Sequence, residues 1–193
     1  MNLKILLPIL LITYSCSNEN ESSFANLTEK AGAPLLSGLG SHSFEISSSV
    51  YGVQDYFDQG LIMAFAFNHA ESIRSFKAAQ QLDPNCAICY WGEALALGPN
   101  INVTSDGKAI MSPQDRSDAF KAINQAVNLI EFASVKEKDY IKTLRYRYNG
   151  DANTSRVPLD LIYASEMDKL SSKSVSYTHL RAHETLRYLV CRL

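Results

Sequence analysis

The chain has 193 residues, 46% of them hydrophobic, with 18 Lys and Arg against 20 Asp and Glu for a formal charge of -2. That length and apolar content are enough to bury the core of an ordinary domain, which excludes the disordered class. A charge so close to balance, with no basic stripe, excludes an electrostatic nucleic-acid binder, and no nucleic-acid partner is expected.

In chain order, MNLKILLPILLITYSC comes first, with one early cation, Lys4, ahead of an apolar run from Ile5 to Ile12. The run is too short to cross a bilayer as a helix, so it reads as an export signal. Its ending, Thr13, Tyr14, Ser15 and Cys16, resembles the bacterial lipoprotein signal, in which the cysteine is acylated and becomes the new N-terminus. Ser15 fits that pattern, while Thr13 stands where Leu is usual. The resemblance implies lipidation at Cys16, a membrane partner reached through that anchor, and a place in the bacterial cell envelope; an ordinary secretory signal is the alternative. Residues 17–50 are rich in Ser, Asn, Gly and Glu without sustained periodicity, and read as a tether or irregular arm. The apolar insets Pro34, Leu35, Leu36 and Leu39 point to its later half lying against the folded body.

From Gln54 the apolar period becomes helical, with Tyr56, Gly60, Met63 and Phe67 on one stripe and Phe57, Leu61 and Ala64 beside it. Asn68, three residues before Glu71, is a cap signal for a second helix, whose stripe is Ile73, Phe76, Ala79 and Leu82. Asp83 and Pro84 stop it. Asn85 opens a third helix that runs to Leu97 and ends at Gly98 and Pro99. GPNINVTSDGKAIM then reads as an inserted loop. Ser112, Pro113 and Asp115 start a fourth helix with Ala119, Ile123, Ala126, Val127 and Ile130. Ser134 with Glu137 has capping-box form for a fifth, lined by Tyr140, Ile141, Leu144 and Tyr148 before Asn149 and Gly150. Residues 158–170 give a sixth, with Leu159, Ile162, Tyr163 and Met167. Beyond it, VSYTHLRAHET and YLVCRL resemble a translated sequencing-library adapter, so residues 174–193 are set aside as a non-native tail and the natural chain is expected to continue past Lys173. Without Arg181, Arg187, Arg192 and Glu184 the chain keeps 15 cations and 19 anions, a charge of -4.

Within residues 56–97, Tyr56, Gly60, Met63, Ser72, Phe76, Ala79 and Pro84 hold a fixed spacing, and Tyr90, Ala94 and Leu97 recur one period later. The stretch resembles the tetratricopeptide repeat of bacterial proteins, one and a half units in register, with Gln59 and Glu93 departing where Leu is usual. The resemblance implies an all-α fold in which helical hairpins over residues 51–173 form the start of an α-solenoid. It also implies a scaffold that mediates protein–protein interaction without catalysis. In that family the first helices of successive hairpins line a concave groove, and Phe57, Leu61, Trp91 and Leu95 match groove-facing positions. This implies an aromatic, apolar groove for a protein or peptide ligand. The alternative is that the arm, the inserted loop or later helices cover these side chains.

Cys86 and Cys89 fall in the first turn of the third helix, where a helix N-terminus lowers thiol pKa. The first expectation is that both fill a tight helix contact. A local disulfide in an oxidising compartment is the second, and redox catalysis or metal binding is the alternative function. No strand precedes the pair as in thioredoxin-like sites, and no second CxxC completes a zinc set. His69 reads as a turn histidine bonding local backbone, and His42 has no visible ligand set. Arg145 and Arg147 read as cations at a helix C-terminus. No catalytic residue, metal or cofactor is expected.

Overall fold

The computed structural model describes residues 19–105, 108–151 and 153–173 of the chain. The expectations for residues 1–16, with Cys16, and for the tail from residue 174 lie outside the described residues.

The described residues are all-α in class. Seven helices, α1 Glu19–Ala31, α2 Val53–Phe65, α3 His69–Leu82, α4 Ala87–Ala96, α5 Pro113–Asn128, α6 Val135–Arg145 and α7 Val157–Lys173, account for the body, with one 3-10 turn at Ile130–Phe132. Two segments differ from the sequence reading. The arm is not irregular throughout, because α1 occupies its first half and buries Leu27 and Ala31. The inserted loop is a short antiparallel ribbon, β1 Asn100–Ser105 paired with β2 Lys108–Ile110, with a bulge between Asn100 and Thr104.

Local chemistry sets most helix boundaries. The Asn68 side chain accepts from Glu71 N, and Phe67 takes a left-handed φ of 60° that ends the preceding turn. Ser112 accepts from Asp115 N with proline opening α5, and Ser134 with Glu137 forms a complete capping box on α6. Such caps satisfy amides that a helix start leaves orphaned. Asp83 closes α3 in an extended conformation, and α4 starts after Cys86, not at Asn85. Gly52 precedes α2 with φ 83°, and Leu27 of α1 fills the space its missing Cβ leaves. Any side chain at that position meets both a strained backbone and the leucine.

Each helix from α2 to α6 packs on the next, α7 packs on α6, and α1 lies against α3. The closest approach is built around Phe76. Its ring occupies the space that a Cβ on either Gly60 of α2 or Gly92 of α4 would need. Ser72 Oγ donates to the Gly60 carbonyl at 2.6 Å, drawing α3 onto α2. Tyr148 OH donates to the Ala94 carbonyl at 2.7 Å and holds the end of α6 to α4. Arg147, expected as a dipole cation, instead pairs with Asp160 of α7 at 3.1 Å.

Gly92→Ala places a methyl 2.3 Å from Phe76 Cε1. Overpacking of this kind costs about 1–3 kcal/mol. Urea unfolding should show a stability lowered by that amount and hence a lower midpoint; an unchanged midpoint would mean that α3 and α4 are not in this contact.

Candidate functional site

The side chains expected to line an open groove are buried. Phe57 is fully buried, Leu61 and Trp91 are nearly so, and Leu95 is half-buried. Part of the chain's own arm lies over this face, as in the alternative in which the arm covers these side chains. Phe44 enters between α2 and α6, with its ring 5.8 Å from Phe57 and 5.5 Å from Tyr140. Tyr140 lies 5.5 Å from Trp91 of α4, and Phe57 lies 5.4 Å from Phe76 of α3. Phe57 and Trp91 are therefore joined through Phe44 and Tyr140. Edge and tilted ring contacts at these separations add stabilisation beyond area burial. Lys136 Nζ sits 3.8 Å from the Phe44 centroid, and burial lowers its ammonium pKa while Glu45 and Glu137 oppose the shift.

The arm runs extended across the helices. Phe44 and Ile46 are buried while Ser43, Glu45 and Ser47 are exposed, the period of two that an extended chain imposes. Its main chain is read by side chains. Gln54 of α2 accepts from Ile46 N at 3.1 Å and donates to the Phe44 carbonyl at 2.9 Å. Asp58 accepts from Phe44 N at 2.9 Å and from Ser43 Oγ at 2.6 Å. Gln59 accepts from Leu36 N at 2.7 Å, donates to the Pro34 carbonyl at 3.1 Å, and is steadied by Ser75. Tyr56 OH donates to the Ala33 carbonyl at 2.5 Å. Burial pushes that phenol's pKa up, with Asp55 adding to the shift, so Tyr56 remains a donor.

Further along the arm, Ser47 meets Glu137. Its amide donates to Oε1 at 2.8 Å, its hydroxyl to Oε2, and Ser134 N donates to Oε2 at 2.6 Å. The carboxylate that caps α6 thus also holds the arm. Ser48 Oγ donates to Asp83 Oδ2 at 2.6 Å, at the end of α3. Three serines of the arm are each bound by one carboxylate, Ser43 by Asp58, Ser47 by Glu137 and Ser48 by Asp83.

Cys86 and Cys89 form a disulfide, which replaces the expectation that they are small packing residues. Both are buried, Cys89 completely. Closing so few residues contributes about 2 kcal/mol by the chain-entropy relation, less than the roughly 3–5 kcal/mol typical of removing a buried phenylalanine side chain. His69 Nδ1 contacts the Ala96 carbonyl at 2.8 Å, a long-range bond between the start of α3 and the end of α4, not a local one. His42 packs edge-on against Phe65. Among the described residues no three His, Cys, Asp or Glu side chains converge on a common point.

No protein-family model matches the chain, and comparisons with curated proteins and with solved structures return no match. The polar clamp was not identified from sequence. Its one visible signal was Gln59, the departure where the repeat pattern expects Leu.

Glu137→Ala removes the acceptor of the Ser47 amide and hydroxyl and one of the two acceptors of Ser134 N, which also donates to Ser47 Oγ at 2.9 Å. Hydrogen bonds to a charged group contribute about 1.5–3 kcal/mol, so the variant should unfold at clearly lower urea, whereas Glu131→Ala, on the exposed 3-10 turn, should not. Equal midpoints for the two variants would remove Glu137 from the arm contact.

Proposed function

We propose that the chain is an exported, lipid-anchored helical-repeat scaffold of the tetratricopeptide type, which binds a protein or peptide partner and carries no catalysis of its own. One observation carries the reading: α2 presents Gln54, Asp58 and Gln59 to the main chain of an extended segment, while Phe57 and Tyr140 receive its aromatic side chain. Main-chain contacts give affinity for any extended polypeptide, and alternate side-chain pockets give selectivity. The Cys86–Cys89 disulfide supports export, since such bonds persist in oxidising compartments. The lipid anchor at Cys16 rests on the sequence of the signal.

The alternative, an exported redox or metal-binding protein, has the joined CxxC pair at a helix N-terminus in its favour. Burial opposes a redox role, because thiol–disulfide exchange needs a thiolate to reach the sulfur.

Panning an unbiased peptide library against the chain tests the scaffold reading. Binders carrying a photoreactive group should label α2, α4 or α6 around Gln54, Phe57 and Trp91. Labelling only elsewhere, or failure to enrich any binder, would contradict it.

A further inference from the structure

We propose that residues 43–48 are a resident stand-in for the groove's ligand, an extended segment of another polypeptide that displaces them and follows the pattern donor, aromatic, any residue, apolar, donor, donor. This inference rests on the scaffold reading and assigns it a ligand class.

The pattern comes from what each arm position meets. The second position enters the space between Phe57 and Tyr140 beneath Lys136. The third faces solvent, as Glu45 does, and the fourth is buried, as Ile46 is. The first, fifth and sixth meet Asp58, Glu137 and Asp83. Ionised carboxylates only accept hydrogen bonds, so the first and sixth positions take a hydroxyl or a cation, the fifth, which also accepts from Ser134 N at 2.9 Å, takes a hydroxyl, and all three reject an acidic side chain. Charge complementarity thus favours a neutral or basic ligand over an acidic one.

Three features make the resident exchangeable. The hydrogen bonds that hold its main chain to the body run to side chains, at Gln54, Asp58 and Glu137, so its departure breaks no helix ladder. Hollows of about 230 and 300 Å³ flank it. The first is walled by Ser47 to Val50 with Asp83, Cys86 and Phe132, the second by residues 35–43 against Asp55, Asp58 and Ile62. Its upstream pivots, Gly38 and Gly40, have left-handed backbones and meet nothing within 4 Å of a would-be Cβ. The connection between α1 and α2 can therefore bow outward without moving either helix.

The test uses the full chain and a labelled nonapeptide copying residues 41–49, SHSFEISSS, read by fluorescence anisotropy. A tethered occupant competes at an effective concentration in the millimolar range. Phe44→Ala weakens that competitor, so this variant should bind the peptide at least about tenfold more tightly than the parent chain. A control peptide, SHSAEASSS, should bind neither. Should Phe44→Ala fail to fold by circular dichroism, Phe44→Leu answers the same question. Equal affinity for parent and variant, or no binding to a folded variant, overturns the proposal. A parent chain that sediments as a dimer and dissociates on adding the peptide would assign the groove to a second copy's arm, which also overturns it. If SHSFEISSS fails while library peptides still label α2 and α4, only the displacement proposal falls and the scaffold reading stands.

Discussion

The ring of Phe44 is where the molecule is tied together. It belongs to a segment outside any helix, yet it touches Phe57 of α2 and Tyr140 of α6, and through Tyr140 it reaches Trp91 of α4. Without it, Phe57 and Tyr140 would lose the ring that joins them. Seating the ring there brings peptide groups with it, and buried peptide groups need partners. Gln54, Asp58, Gln59 and Glu137 supply those partners, so the apolar plug and the polar clamp are two parts of one contact.

The helices present these groups accurately because they approach closely elsewhere. Phe76 packs where Gly60 and Gly92 leave room, and the Ser72 to Gly60 bond fixes how α3 lies on α2. Ser75 of α3 then holds the Gln59 amide at 2.9 Å, in the orientation that both donates to and accepts from the arm. A loss of packing at Phe76 would therefore reach the arm, although Phe76 does not belong to the clamp.

What was legible in the sequence was what is local. The caps at Asn68, Ser112 and Ser134 depend on residues three positions apart, and all three stand where the pattern placed them. The second role of Glu137, holding Ser47 from 90 residues away, leaves no local trace. Helix α1 has a weak sequence signal, because among its described side chains Leu27 and Ala31 alone are buried, too few to outweigh a Ser- and Asn-rich composition. Apolar spacing at Phe57, Leu61, Trp91 and Leu95 reads the same for a groove that is open and one that is filled. The departures from the repeat pattern were more telling than the matches. Gln59 holds the arm, and Glu93, nearly buried, bonds Gln80 at 2.8 Å and Lys77 at 3.3 Å. Buried polar side chains at positions of expected leucine need such partners.

Residue-resolved amide hydrogen exchange tests the seated arm most directly, since it reports on each main-chain donor separately. The account predicts that the amides of Leu36, Phe44, Ile46 and Ser47, each bonded to a side chain of the body, exchange slowly and together. If those four amides exchanged at the rate of an unstructured chain while α2 stayed protected, the arm would not occupy the groove and the account would fail.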